Sequence, residues 1–329
     1  MLTSSCHMLS LRAHVPDTVV TNDDLSKIVD TNDQWIVSRT GIRQRHRLSP
    51  ADNASSLGFR AAKEALVDAA VTPGELTHVI AATCTPDLLS PSVACLIAGQ
   101  LGAGNVMAFD VGAACSGFLY GLSLCQALLL QNPEAKILFV CTEALTRRIN
   151  WSDRSTCVLF GDAATACLFA ARAEKSLAIL EDVLCASDGT KQHLIHVGGG
   201  TSCSYNLGDA VDENFFIIMQ GRETYKHAVR KMAHVCEEVL SRNNLTVEDI
   251  QLLVPHQANM RIIEAVGARL DLPDAKVFTN VAKYGNTSSA SIPLALAEAV
   301  AEGRIQPGDR ILTTAFGAGL TWGAALLRF

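Results

Sequence analysis

Along the 329-residue chain, short apolar runs bounded by turn residues alternate with longer stretches of helical periodicity, the pattern of an α/β protein. In the first half, residues 79–83, 106–110, 137–141 and 164–170 read as strands, and 92–101 and 118–130 as helices. In the second half, 252–254, 277–279, 311–314 and 322–328 are expected to be strands, and 260–270 and 291–302 helices. The same order therefore occurs twice. Sliding the chain against itself by about 171 residues puts Cys84 near His256, Cys115 on Asn286 and Ile137 near Ile311. Phe160-Gly161-Asp162-Ala163 answers Phe316-Gly317-Ala318-Gly319 at a shift of 156. The repeat predicts two βα halves, 1–175 and 176–329, related by a pseudo-dyad, with equivalent strand ends facing each other across the join. A binding site is expected there. The loosest stretch, 187–213, contains Gly198-Gly199-Gly200 and Ser202-Cys203-Ser204 and reads as a long loop over one face.

Composition narrows the class. With 49% hydrophobic residues, 5% aromatic residues and 23 glycines, the interior is built from small aliphatic side chains, and disorder is excluded. A net charge of -6 argues against nucleic acid as a partner, because phosphate binding needs an excess of Lys and Arg. The eleven cysteines are odd in number and no two are spaced as Cys-x-x-Cys, so neither a zinc ribbon nor a disulfide framework is expected, and a reducing, cytoplasmic setting is. Residues 1–16 carry no cationic stretch followed by an apolar one, so no secretion signal is expected. Residues 111–133 carry no charge and are long enough to cross a bilayer, but Gly112, Ser116, Gly121, Ser123, Gln126 and Gln131 interrupt them. They read as a buried helix, with no membrane partner. His193 and His196 have a metal-like spacing without carboxylate or cysteine neighbours, and no metal site is assigned to them.

Three turns carry candidate chemistry. In Asp110-Val111-Gly112-Ala113-Ala114-Cys115-Ser116-Gly117-Phe118, a strand ends in small residues and a cysteine stands where the uncharged helix begins. A helix N-terminus favours thiolate, which makes Cys115 a candidate nucleophile; a packed small hydrophobe is the rival reading. His256, in Leu252-Leu253-Val254-Pro255-His256-Gln257, ends a strand and is placed for acid-base or hydrogen-bonding work. Asn286, in Tyr284-Gly285-Asn286-Thr287-Ser288, has the ordinary alternative of a turn or cap residue. The repeat brings these turns together, so the constellation carries more weight than its members. Phe316-Gly317-Ala318-Gly319 offers unobstructed main-chain N–H groups that could form an oxyanion hole with that of Cys115. Gly102-Ala103-Gly104 precedes a strand and Met107 takes the third glycine's place, so a dinucleotide loop is not expected.

The segments Trp35-Ile36-Val37-Ser38-Arg39-Thr40-Gly41-Ile42-Arg43, Ala114-Cys115-Ser116-Gly117-Phe118, Val254-Pro255-His256-Gln257-Ala258-Asn259, Gly285-Asn286-Thr287-Ser288 and Phe316-Gly317-Ala318-Gly319-Leu320-Thr321-Trp322-Gly323 resemble the β-ketoacyl-acyl-carrier-protein synthase III family. The likeness runs over essentially the whole chain. It implies a thiolase-like, five-layered αβαβα fold, a homodimer, and a Cys-His-Asn site on Cys115, His256 and Asn286. It implies the initiating condensation of type II fatty acid synthesis. Cys115 would take the acyl group of a short acyl-coenzyme A, acetyl above all, and condense it with malonyl-acyl-carrier-protein. Coenzyme A is then a substrate and no cofactor is implied. The main-chain N–H groups of Cys115 and Ala318 would hold the oxyanion. Adenine would stack between Trp35 and Arg154, with Arg39 and Thr40 nearby; Trp35 as a core aromatic is the alternative. Phe160, Gly221, Ala258, Asn259 and Phe316 would line the pantetheine channel, and Lys226, Arg230, Arg261 and Arg269 would meet the acidic carrier protein. Some relatives carry an aromatic, which closes the acyl pocket across the dimer, where this chain has Ser90; either the loop 84–90 leaves more room or Leu88 or Leu89 fills it. Two other functions are compatible with parts of the pattern: priming or joining acyl units in a specialised, polyketide-type pathway, and a catalytically silent carrier-protein-binding subunit. The intact trio argues against the second.

Overall fold

The computed structural model describes residues 6–198 and 215–329, and their main strands form a single nine-stranded sheet. The first half comprises β1 (Cys6–His14), α1 (Ala54–Asp68), β2 (His78–Ala82), α2 (Val93–Leu101), β3 (Met107–Val111), α3 (Gly117–Gln131), β4 (Lys136–Glu143) and β5 (Ala163–Ala170). The second comprises β6 (Ala178–Ser187), α4 (Gly221–Arg242), β7 (Leu252–Pro255), α5 (Met260–Arg269), α6 (Ser291–Ala301), β8 (Arg310–Gly317) and β9 (Thr321–Arg328). The sheet order is β7-β8-β9-β6-β1-β5-β4-β2-β3. Read outward from the central antiparallel pair β1/β6, the two sides repeat one another, with β2/β4 and β7/β8 the matching parallel pairs.

Helices supply the remaining layers. Phe118, Leu119, Leu122, Cys125 and Leu129 fall on one face of α3 at helical spacing and are buried with Ile292, Leu296 and Ala299 of α6 between the two halves of the sheet. The uncharged segment of the sequence is thus the middle layer. Helices α1 and α2 cover the outer face of the first half, and α4 and α5 that of the second. The stack is αβαβα. Strand ends also seat helix starts: the Asp110 carboxylate, at the end of β3, accepts from the N–H groups of Val93 and Ala94 at 2.7 and 2.9 Å, where a helix has unpaired donors.

The structure sets the register of the repeat. Element starts His78 and Leu252, Ala114 and Ser288, Gly117 and Ser291, and Lys136 and Arg310 are each 174 residues apart. The shift of about 171 read from side-chain identity is corrected by this, and the counterpart of Cys115 is Ser289. The expected strand 277–279 is not formed: Val277 makes only an isolated parallel bridge to Leu253, which leaves the second half one strand short. β1 and β6 escaped the hydrophobic pattern because polar or charged residues such as His7, Ser10 and Arg12, or Glu181 and Asp182, break their apolar runs. The stretch 187–213 is not all loop: a 3₁₀ segment, Gly189–Leu194, carries His193, and a strand, Ile195–Val197, carries His196 and pairs with Ile217–Met219. Gly199, Gly200, Ser202, Cys203 and Ser204 lie outside the described residues.

Candidate active site

Cys115 sits in a 3₁₀ turn, Ala114–Ser116, that runs into α3, and the residue before it, Ala114, is held at φ 44°, a conformation most side chains avoid. The turn lifts the cysteine to the end of a cavity of about 560 Å³, which His256, Asn286 and Phe316 also line. Asn286 is fixed by its main chain, which donates to Leu159 O at 2.8 Å and accepts from Gly161 N at 3.1 Å. This close approach requires glycine on one side: Gly285 has φ +66°, and a Cβ there would stand 2.7 Å from Leu159 O.

Hydrogen bonds orient both polar side chains. Asn286 Oδ1 accepts from Ser288 N at 2.9 Å, which leaves its two Nδ2 donors for the cavity. His256 Nδ1 is 2.6 Å from Ser291 Oγ, and that oxygen accepts from Gln257 N at 3.4 Å. The neutral tautomer that leaves a donor for the cavity has the Ser291 hydroxyl donating to Nδ1 and the ring proton on Nε2. Burial pushes the His256 imidazole down to about 3, so it acts as a neutral donor.

This shift has a consequence for stability. Between about pH 6.5 and 3 the unfolded chain binds a proton at His256 that the folded chain refuses, so stability falls as pH falls, by up to about 1.4 kcal/mol per pH unit, and is unaffected above pH 6.5. Urea titrations of wild type and His256→Gln are expected to diverge above pH 6.5 by a constant amount and to converge as pH drops below it.

Cys115 departs from expectation in its charge state. The helix start was expected to favour thiolate, but burial pushes the Cys115 thiol up to about 12, with the Ser288 hydroxyl opposing and the Glu143 carboxylate adding to the rise. The resting nucleophile is therefore a thiol.

The two turns expected to supply the oxyanion donors pack against each other. Cys115 lies in the first turn of a helical segment, where N–H groups have no acceptor within the helix. Gly317, next to Ala318, presses on it so closely that a Cβ would stand 2.8 Å from Cys115 N and 3.2 Å from Cys115 Cβ. Gly317→Ala is expected to displace the Cys115 N–H and slow acyl transfer about tenfold to a hundredfold, near the lower end of what losing one such donor costs. Single-turnover rates, with thermal melting as the control for folding, check this.

The remaining residues expected at the site divide. Arg39, Phe160, Gly221, Ala258 and Asn259 line the cavity, as do Lys226 and Arg261. Arg230 and Arg269 are exposed outside it, and Lys226 is partly neutralised by Glu223 at 2.9 Å. Thr40 does not face the cavity: it is buried, and its hydroxyl donates to Ile36 O and accepts from Ile42 N. Trp35 and Arg154 are stacked on each other, with the guanidinium 4.7 Å from the ring centre. A purine between them would need two contacts of about 3.5 Å, so Arg154 must swing aside to admit one. Leu88 and Leu89 are 51% and 89% exposed, and with Cys84 they line a second cavity of about 920 Å³. Sequence reasoning missed Ser288, Ser291 and Glu143. Only Glu143, a lone charge ending the apolar run of β4, carried a visible signal.

A duplicated αβαβα fold with a cysteine, a histidine and an asparagine converging on one cavity marks the thiolase-fold condensing enzymes. Comparison with known proteins narrows the class. Residues 109–189 match the family described as 3-oxoacyl-[acyl-carrier-protein] synthase III, and residues 240–329 its C-terminal part. The chain is 55% identical over 325 residues to the β-ketoacyl-[acyl-carrier-protein] synthase III of Nitratidesulfovibrio vulgaris (strain DSM 19637 / Miyazaki F), covering 99% of this chain and 98% of that one. The crystal structure of 3-oxoacyl-[acyl-carrier-protein] synthase III from Aquifex aeolicus superposes with a TM-score of 0.90 at 43% identity, covering 98% and 100%. The priming β-ketosynthase of the R1128 polyketide pathway superposes with a TM-score of 0.89 at 32% identity, covering 98% and 96%. The chain belongs to the β-ketoacyl-acyl-carrier-protein synthase III family. It is an acyltransferase, the initiating condensing enzyme of fatty acid synthesis.

Proposed function

We propose that Cys115, His256 and Asn286 carry this condensation between a short acyl-coenzyme A, acetyl-coenzyme A above all, and malonyl-acyl-carrier-protein. The observation that carries the reading is that all three side chains line one cavity, with donors of Asn286 and His256 left unoccupied beside the cysteine. The Cys115 sulfur attacks the thioester carbonyl, coenzyme A leaves, and the oxyanion is held by the N–H groups of Cys115 and Ala318. Malonyl thioester then enters. His256 Nε2–H and Asn286 Nδ2–H donate to its carbonyl oxygen, carbon dioxide leaves, and the enolate attacks the acyl-cysteine. No electron is gained or lost in either step, so the reaction as written needs no cofactor.

Arg39, Phe160, Gly221, Ala258, Asn259 and Phe316 suit the pantetheine arm because they lie along the same cavity. Trp35, with Arg154 swung away, offers a face for adenine. Exposed Lys226, Arg230, Arg261 and Arg269 suit an acidic carrier protein. The exposed Leu88 and Leu89 are surface that a second copy would cover, which supports a homodimer. Ten described cysteines with free thiols support a reducing cytoplasm. The palindromic sheet order supports a division of the chain at 175/176.

Intact-mass analysis after incubation with acyl-coenzyme A of increasing chain length tests the reading. One acyl group per chain is expected on Cys115, fastest with acetyl and slower as the chain lengthens. A label on any other cysteine, or none, overturns it.

A further inference from the structure

The two halves of the sheet end differently, and the difference lies beside the trio. In the first half β3 runs along β2, from Met107 opposite His78 to Val111 opposite Ala82. In the second half the chain makes a single bridge to β7, Val277 to Leu253, with Phe278 N donating to Leu253 O at 2.9 Å. It then leaves the sheet through one helical turn, Val281–Tyr284, closed by Gly285 N donating to Val281 O at 2.9 Å. The next residue is Asn286.

Gln257 takes the place of the missing ladder. It follows His256 directly and is 1% exposed. Its Nε2 donates to Pro255 O at 2.8 Å and to Phe278 O at 3.3 Å, and its Oε1 accepts from Asn280 N at 2.9 Å and Val281 N at 3.2 Å. Both donors and two acceptor sites of the amide are used, all on main chain. The partners lie on the end of β7 and on the segment where the chain departs from the sheet. The N–H of Gln257 also donates, at 3.4 Å, to Ser291 Oγ, which lies 2.6 Å from His256 Nδ1. Gln257 thus grips residues 278–291 at both ends, with Asn286 between them. The first half does without such a residue: Thr83 stands 174 residues before Gln257, and there the main-chain ladder alone carries the edge strand.

We infer that Gln257 is a positioning residue for the condensation, fixing the spacing of His256 and Asn286 so that Nε2–H and Nδ2–H reach one thioester oxygen. The inference rests on the reading that these two side chains stabilise the enolate. Two donors that converge on one oxygen tolerate little relative movement, because hydrogen bonds weaken steeply as they bend. A misplacement of about 1 Å costs on the order of 10²-fold in rate. The turn of Cys115 is seated by other contacts: Thr321 Oγ1 donates to Ala113 O at 3.0 Å, and Gly317 presses on Cys115 itself. Gln257 therefore serves decarboxylation and condensation, and acyl transfer proceeds without it.

Two substitutions test this role. Gln257→Met keeps the length of the side chain and removes its four hydrogen bonds, whereas Gln257→Glu keeps the acceptor for Asn280 and Val281. Carbon dioxide release from labelled malonyl-acyl-carrier-protein and single-turnover acyl transfer from acetyl-coenzyme A, followed by intact mass, are measured for both. Wild type, His256→Ala, Asn286→Ala and the double variant of Gln257→Met with Asn286→Ala are measured beside them. Expected is a fall in carbon dioxide release of about 10²-fold in Gln257→Met and about tenfold in Gln257→Glu, with acyl transfer within about threefold of wild type. The double variant is expected within about threefold of Asn286→Ala alone, since a donor already removed cannot be misplaced. An equal fall in both steps, no fall in carbon dioxide release, Gln257→Glu no faster than Gln257→Met, or a double variant showing the product of the single losses overturns the inference. Should Gln257→Met fail to fold, Gln257→Glu decides alone by the split between the two steps. If His256→Ala and Asn286→Ala release carbon dioxide at the wild-type rate, the underlying reading fails; if they are slow and Gln257→Met is not, only the role of Gln257 fails.

Discussion

Cys115→Ser is expected to leave no acyl-enzyme on the reaction timescale and to lower condensation on the order of 10⁴-fold or more, the scale on which losing a nucleophile is felt. The physical argument lies in the environment of the sulfur. Burial holds even the thiol of Cys115 protonated, and a serine hydroxyl at the same place is far harder to ionise and less polarisable, so whatever helps the thiol lose its proton is insufficient for it. The substitution shortens no main-chain contact: the Gly317 turn still presses on residue 115, and the oxyanion donors stay in place. Binding of coenzyme A is therefore expected to survive, because the cavity residues that suit it are untouched. Intact mass after incubation with acetyl-coenzyme A, beside a titration of coenzyme A binding, separates the two effects. An acyl adduct on the serine variant at the wild-type rate would remove Cys115 from its role.

What the sequence disclosed follows from the length scale of each signal. Strands β2 and β4 and helix α6 were legible because burial on nearly every side makes their residues almost continuously apolar, and helix α3 because it carries no charge along its length. Strands β1 and β6 were not, since they meet at the centre of the sheet while carrying polar side chains such as Arg12 and Glu181 that reach partners at its margins: Arg12 pairs with Asp68, and Glu181 with Arg310 and Arg328. The trio could be named because each member ends a strand or opens a helix, a local feature. Its supports could not: Ser291 orients His256 from 35 residues away and Ser289 reaches Glu143 across 146. Even the repeat was legible only in outline. Side-chain likeness paired Cys115 with Asn286, two residues doing related work, whereas backbone geometry pairs Cys115 with Ser289, because duplication conserves the path of the chain more faithfully than the chemistry placed on it.

His256→Ala and Asn286→Ala are each expected to lower condensation about 10²- to 10³-fold while leaving acyl transfer to Cys115 within about tenfold of wild type. The asymmetry follows from where the donors point. The hydrogen bonds that fix the two side chains run to Ser288 N and Ser291 Oγ, not to the Cys115 sulfur. Asn286 offers Nδ2 because its Oδ1 is held by Ser288 N, and His256 offers Nε2–H because Ser291 holds Nδ1. Both donors are available to an oxygen that gains charge only as malonyl thioester loses carbon dioxide, so their contribution appears in that transition state and little in the ground state. Since the two converge on one oxygen, the double variant is expected to fall short of the product of the single losses. His256 must donate as a neutral ring, so the condensation rate carries no break near pH 6.5 from its titration. Release of carbon dioxide from labelled malonyl-acyl-carrier-protein, measured beside acyl-enzyme formation in the same variants, checks the division. If both steps fell together, the histidine and asparagine would be shaping the cavity around the cysteine, and the enolate would need another source of stabilisation.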